Sequence, residues 1–278
     1  MKAAVYERYG PPEVLQFKDV ETPVPVGFGL LTRLVFGVSR PRQPILGSEL
    51  AGVIEAVGKL VTRFNVGDEV FAFSDTKMGC HAQFKCMPQD GAVVLKPPSL
   101  TFDEAAALSF GGTTALDFLR RAKLQRGESV LVNGASGCVG TAAVQLARHF
   151  GAEVTGVCSS ANEALVRSLG ARHVIDYTKE DFMQNGDTYD VIVDTVGTAP
   201  FSPCKASLKE GGRLLMVVAG LPDMLQAPWV SMSGTRKLIA GPVSVRVEDL
   251  HFLAHLAEAH PLRRHRSQEG ECHHHSDF

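Results

Sequence analysis

The sequence predicts an α/β protein, a doubly wound parallel sheet preceded by a smaller domain of short strands. Three observations carry this reading. From about Phe102 onward, strand-like and helix-like segments alternate with short connections. Near-continuous apolar runs such as Val191-Ile192-Val193 suit strands buried on both faces. Before Phe102 the chain breaks into short runs punctuated by Gly and Pro, at Gly10-Pro11-Pro12, Gly67-Asp68 and Pro97-Pro98.

The early strands are expected at Ala3–Tyr6, Leu15–Asp19, Gly52–Val57, Glu69–Ala72, Ala82–Cys86 and Val93–Lys96. Helical spacing of apolar residues predicts two helices next, Phe102–Leu108 and Thr113–Ala122. Six strands follow, at Ser129–Asn133, Glu153–Cys158, His173–Ile175, Val191–Asp194, Arg213–Val218 and Lys237–Val243. Helices are expected between them near Val139–Phe150, Asn162–Leu169, Asp181–Gln184 and Pro203–Leu208, with a last one at Glu248–Glu258. No internal repeat is present, and His273-His274-His275 is the sole low-complexity tract.

Composition narrows the function classes. The 278 residues are 45% hydrophobic and 21% charged, with a net charge of −2, which suits one large or two moderate globular domains. Without a basic block, neither nucleic acid nor an anionic membrane is expected as a partner. The apolar runs fall well short of the roughly 20 residues of a spanning helix. The opening residues Met1–Tyr6 alternate like a strand, with no signal-peptide core. None of the six cysteines forms a C-x-x-C pair, so reduced thiols and a cytoplasmic location are expected.

The chemistry is expected where the first parallel strand runs into a helix, at Val132-Asn133-Gly134-Ala135-Ser136-Gly137-Cys138-Val139-Gly140. This fits a dinucleotide-binding fingerprint, Ala135-x-Gly137-x-x-Gly140, with Ala in the first glycine position. Gly137 would admit a pyrophosphate to the backbone, Gly140 would let the helix pack on the strand, and the helix N-terminus would offer N–H donors. At the end of the second strand stand Ser159 and Ser160, with no Asp or Glu from Cys158 to Asn162 to hold a ribose 2′-hydroxyl. That favours NADP (NADPH) over NAD. The nearest cations in sequence are Arg167 and Arg172, and the alternative role for the two serines is to cap the next helix.

These residues resemble a known family. Gly47-Ser48-Glu49-Leu50-Ala51-Gly52-Val53-Ile54-Glu55-Ala56-Val57-Gly58, followed by Phe64-x-Val66-Gly67-Asp68-Glu69-Val70, is similar to the medium-chain dehydrogenase/reductase signature. Gly112-Thr113-Thr114-Ala115, Ala135–Gly140 and Gly170–Tyr177 resemble its quinone oxidoreductase branch. The resemblance implies a GroES-like β domain and a Rossmann domain, with expected divisions at 1–101, 102–246 and 247–278. It implies hydride transfer from NADPH to a quinone, an activated alkene or a carbonyl, and a homodimer through 237–243. Zinc is not expected. Ser48 stands where zinc-dependent relatives carry His, and Cys80 and Cys86 are too few for a structural zinc lobe.

By the same resemblance Thr113 and Thr114 lie near the nicotinamide, Val217, Val218, Ala219 and Gly220 line its other edge, and Tyr177 lies by the adenosine. The residues themselves leave other roles open: a helix cap for Thr113, half-buried packing for Tyr177, a turn for Gly220. Asp194 either caps a turn or touches cofactor. Cys138 is either a thiol tuned by the helix N-terminus or a small packed residue. No catalytic side chain is identified.

The chain departs from the family at two places. After Pro25 a catalytic-domain strand and part of the substrate wall are absent, and after Ala259 the end is polar and His-rich. An internal deletion plus a frameshift is the expectation, and gene codons that cannot encode a family-like ending in the shifted frame would overturn it. A cofactor-binding relic without turnover is the alternative function.

Overall fold

The computed structural model describes Lys2–Val5, Gln16–Asp19 and Ile45–Ala259. The segment following Pro25 and the chain beyond Ala259, where departures from the resemblance are expected, lie outside these residues. Contacts divide the chain into two compact units. One contains the residues up to Thr113 together with Val245–Glu258, and the other contains Thr114–Ser244. The division falls inside a helix.

In the first unit β1 (Lys2–Val5) pairs antiparallel with β2 (Gln16–Asp19). A three-stranded antiparallel meander follows, made of β3 (Glu49–Val53), β4 (Glu69–Phe73) and β5 (Val93–Leu95). β3 ends earlier than its apolar run suggests, because the Ile54 amide donates to Asp68 at 2.9 Å and the Gly67 amide donates back to Ile54 at 2.8 Å. The return bond comes from Gly67 and not from Asp68, which stands opposite Ile54, so the regular register ends there. The strand expected at Ala82–Cys86 is reduced to a single bridge at Ala82. Phe64, Val70, Ala72 and Val93 form the buried cluster of this meander. The buried Lys96 is satisfied there by Glu69 at 3.0 Å and by the Leu100 carbonyl at 2.6 Å.

The two helices expected around Gly111-Gly112 are one, α1 (Phe102–Arg121). Its start is a capping box: the Thr101 amide donates to Glu104 at 2.8 Å, and the Glu104 amide donates to the Thr101 hydroxyl at 3.2 Å. Gly112 serves packing, not termination. A Cβ there would stand 2.7 Å from Leu253 of the last helix, Val247–Ala259.

The second unit holds a six-stranded parallel sheet. Its strands are β6 (Ser129–Asn133), β7 (Glu153–Cys158), β8 (His173–Asp176), β9 (Tyr189–Asp194), β10 (Leu208–Met216) and β11 (Lys237–Ile239). Their order is β11-β10-β9-β6-β7-β8, so the chain reverses direction across the sheet between β6 and β9. That is the doubly wound arrangement, whose ligand crevice lies at the carboxyl ends of the strands beside the switch. Leu131, Ile192, Leu214 and Leu215 are fully buried. Between the strands run α2 (Cys138–His149), α3 (Glu163–Leu169), the short α4 (Phe201–Cys204) and α5 (Leu221–Ser233). The last helix of the chain is therefore α6.

Three local expectations are corrected here. Asp181–Gln184 is a turn, because the Asp181 carboxylate accepts the Met183 amide at 2.9 Å and binds the Gln184 side chain at 2.8 Å. The helix expected at Pro203–Leu208 begins earlier, at Phe201, and gives way to a 3₁₀ turn at Lys205–Ser207. Finally, α5 was not expected from a sequence carrying Pro222 and Pro228. It is started by Asp223, whose carboxylate accepts the Gly220 amide at 2.9 Å.

Two carboxylates at the amino ends of the strands tie the sheet together. Arg213 grips Glu128 through two bonds of 2.6 and 2.9 Å. Asp190 accepts from the Ser129 amide and hydroxyl and from Lys209, all within 2.8 Å. Burial works to raise both acids, but these partners hold each below its usual range. Acids depressed by folding stabilise the native state above their unfolded pKa of about 4, and that stabilisation is lost as pH falls through the folded values. Thermal melts from neutral pH downward should therefore show a steepening loss of stability below about pH 5. Glu128→Gln should cost about 2 kcal/mol at neutral pH and flatten that slope. An unchanged slope in the variant would remove Glu128 from the account.

Candidate dinucleotide-binding site

The loop after β6 is built by glycines with different duties. Gly134 has φ +81, and a Cβ on it would meet Val196 at 2.3 Å and Thr195 at 2.5 Å. It takes the tight turn one residue ahead of buried Ala135, which occupies the first fingerprint position. Gly140 lies in the first turn of α2. A Cβ there would sit 2.0 Å from the Gly134 carbonyl oxygen and 2.9 Å from the Ala135 Cα. Gly137 is unlike both. Its φ of −77 and ψ of 172 suit any residue, and its nearest neighbour to an added Cβ is ordinary contact at 3.4 Å. Among the described residues, nothing requires glycine at Gly137. Its bare backbone leaves room for something the chain does not supply.

Gly137 is also the N-cap of α2 and has no side chain to cap the helix amides. The twelve-residue α2 therefore opens without a capping side chain, at the exposed Gly137. Val139 is buried, while Cys138 is exposed. Ser136 accepts from Asn162 at 3.3 Å, and Asn162 also reaches Ser159 at 3.4 Å. The amides of Gly134 and Ala135 both donate to Val157, at 3.2 and 2.9 Å. These bonds lock the loop after β6 to the end of β7.

On the other side of the switch, Asp194 is a structural cap. Its fully buried carboxylate accepts the amides of Val196, Gly197 and Ala199 at 2.9–3.2 Å and the Asn133 side chain at 2.9 Å. Thr195 donates its hydroxyl to the Asn133 carbonyl at 2.8 Å. The loops after β6 and β9 are thereby fixed to one another. Val218 follows β10 and lies against Gly197, where an added Cβ would come within 3.1 Å of it. Val196 and Val218 are each about half exposed. They form an apolar rim at the carboxyl ends of β9 and β10, beside Ala219 and Gly220. Gly220 is exposed and opens α5. Val196 was not singled out from the sequence, although the Asp194-x-x-Gly197 turn marks its place.

At the far end, the serines after β7 do not cap with their side chains. Ser160 donates to Asp176, the last residue of β8, which pairs in register with Cys158. Asp176 also accepts from Lys179 at 2.9 Å and from the Thr178 hydroxyl and amide at 2.7 and 3.0 Å. The Ser160, Lys179 and Thr178 hydrogen bonds hold its carboxyl far below the usual range, and Asp176 in turn raises Lys179. Arg167 and Arg172 are engaged elsewhere, with Glu163 at 2.8 Å and Glu153 at 2.6 Å. Tyr177 stands beside this cluster with its side chain in the open at 64% exposure, and its amide donates to Cys158 at 3.2 Å. Half-buried packing is therefore not its role.

Thr113 and Thr114 are both buried in α1. Thr113 turns its hydroxyl back onto the Ser109 carbonyl, and Thr114 Oγ1 has no hydrogen-bond partner. In the first unit, Glu49 is half-buried and accepts the Phe110 amide at 3.1 Å, and burial raises its pKa. Among the described residues no group of three or more His, Cys, Asp or Glu could hold a metal ion.

Residues 28–115 match the family model described as alcohol dehydrogenase GroES-like domain, and residues 138–253 match zinc-binding dehydrogenase. The metal-ligand set that second description implies is not assembled among the described residues. A quinone oxidoreductase from Mus musculus is 35% identical over 78% of this chain and 73% of its own length. An NADPH-dependent alkenal/one oxidoreductase from Arabidopsis thaliana is 33% identical over 80% of this chain, which spans only 63% of that relative. The solved quinone oxidoreductase of Coxiella burnetii superposes with a TM-score of 0.83 at 27% identity, covering 95% of this chain and 89% of that one.

The contrast between two glycines gives a direct test. Gly140→Ala should destabilise the protein by about 3 kcal/mol, because the added methyl overlaps a backbone carbonyl. Gly137→Ala should leave the melting temperature nearly unchanged while weakening dinucleotide binding by at least about tenfold. Equal effects of the two on stability would show that Gly137 is structural.

Proposed function

Because the chain belongs to the quinone oxidoreductase-like branch of the medium-chain dehydrogenase/reductase superfamily, we propose that it transfers a hydride from NADPH to a quinone, an activated alkene or a carbonyl without using zinc. The observation that carries this reading is the bare backbone of Gly137 at the mouth of α2, beside the sheet's switch point. A pyrophosphate would bind there, on the N-terminus of α2. When bound, the cofactor supplies a hydride from nicotinamide C4, and water or a donor on the substrate side supplies the proton.

Holding and orienting the cofactor is the work assigned to this unit. Ala135, Ser136, Gly137, Cys138, Val139 and Gly140 would bind the pyrophosphate. Ser159, Ser160 and Tyr177 would flank the adenosine. Val218, Ala219 and Gly220, with Thr113 and Thr114, would meet the nicotinamide. The apolar valine rim suits a flat ring that must be shielded from water on one edge. A homodimer through 237–243 belongs to the same reading, supported by β11 lying at the edge of its sheet. So does a cytoplasmic location: none of the five described cysteines is in a disulfide, and no described helix is long and apolar enough to cross a membrane.

The test is a fluorescence titration of the purified chain with NADPH and with NADH, followed by addition of a quinone, an enone and an aldehyde in turn. Saturable binding, tighter for NADPH, and oxidation on adding one acceptor class are expected. Binding without turnover on any of them would replace the reductase reading with that of a cofactor-binding protein.

A further inference from the structure

We propose that Lys179, held against Ser160 by Asp176, is the cation that reads the 2′-phosphate of the cofactor, an inference that rests on the dinucleotide reading above. In doubly wound sheets the adenosine ribose meets the end of the second strand. A carboxylate there accepts from the ribose hydroxyls, and a cation there donates to a 2′-phosphate. This chain has no acid between Cys158 and Asn162, but the sheet brings one in from the next strand. Asp176 stands in register with Cys158 and reaches Ser160.

Taken alone, that carboxylate would favour an unphosphorylated ribose. Its hydrogen bonds decide otherwise. Oδ1 accepts the amide and the hydroxyl of Thr178, and Oδ2 accepts Ser160 and Lys179. An ionised carboxylate offers about four acceptor sites, and all are taken. Asp176 has no capacity left for a ribose hydroxyl. It acts instead as a positioning residue, fixing an ammonium group 3.2 Å from the Ser160 hydroxyl.

What the pair presents outward is an ammonium group whose charge Asp176 partly balances. Lys179 has three N–H donors, of which Asp176 and Ser160 take two, and its side chain is 72% exposed. One donor remains, at a strand end where Ser160, Tyr177 and Lys179 are all exposed. Glu163, the other acid nearby, is neutralised by Arg167 at 2.8 Å. Arg172 is held by Glu153. Arg167, Arg172 and Lys179 are all ion-paired; what distinguishes Lys179 is its bond to Ser160 just beyond β7, the strand end where a 2′-phosphate would lie. The pair is spaced i, i+3 in an exposed turn, where an ion pair by itself adds little stability, so its removal should leave the fold intact.

Calorimetric titration of the full chain with adenosine 2′,5′-bisphosphate and with adenosine 5′-monophosphate separates the possibilities without depending on turnover. Wild-type protein should bind the bisphosphate more tightly by about tenfold or more. Lys179→Met should lose about tenfold on the bisphosphate and less than about twofold on the monophosphate, while Lys179→Arg should retain the preference. Asp176→Asn keeps an acceptor for Ser160 but releases the ammonium, and should lose several-fold on the bisphosphate alone. Loss of both ligands in equal measure, or of neither, in Lys179→Met would overturn the assignment while leaving dinucleotide binding standing. A wild-type chain that bound neither ligand would overturn the dinucleotide reading itself.

Discussion

The seating of Gly140 against the Gly134 carbonyl is the contact on which the rest of the second unit depends. An α-helix that follows a strand this closely must bring its first turn over the loop it has just left, and any side chain at the point of crossing would push it away. With only hydrogen at Gly140, α2 settles onto the end of β6. The turn at Gly134 is then pressed toward Thr195 and Val196, and the loop after β9 is drawn into the same rim. The opening at Gly137 is a by-product of that geometry, since helix and strand are anchored on both sides of a residue that touches almost nothing.

Carboxylates do different work at the two ends of the sheet. At the amino ends, Glu128 and Asp190 meet Arg213 and Lys209 and tie β6, β9 and β10 together. At the carboxyl ends, Asp194 and Asp176 mostly accept amides and hydroxyls from their own loops. Asp194 and Asp176 each accept four bonds, whereas Glu128 and Asp190 each accept three. The difference lies in what they hold: a strand register at one end, and at the other the loops on which a ligand would rest. Asp194 fixes the rim beside the proposed nicotinamide position, and Asp176 fixes Lys179.

The first unit follows a different logic. Its meander is short and its apolar cluster small, so polar anchors set its boundaries. The buried Lys96 draws Glu69 and the Leu100 carbonyl together at the point where the chain leaves β5 for α1. The helix that follows passes straight through Gly111-Gly112, because the second of these glycines makes room for Leu253 from the far end of the chain. A pair of glycines that reads as punctuation is there a packing surface.

By itself the sequence determined the alternation of strands and helices, the parallel sheet, the glycine loop after Asn133 and the lack of an acid after Cys158. Each of these is a local pattern: the period of apolar residues, the spacing of glycines, the identity of a few residues beyond a strand. What the tertiary structure alone decided involves partners far apart in the chain. Asp176 can serve the end of β7 only because β8 lies beside it in register, and Lys179 gains its place through Asp176. Asp194 became a cap and not a ligand contact because four donors, one of them from Asn133 on the neighbouring strand, fill it. Continuous α1 and proline-bearing α5 were likewise hidden, since Leu253 and the Asp223 cap override what Gly and Pro signal locally. Propensity acts over a few residues, whereas register and hydrogen-bond saturation are properties of the assembled sheet.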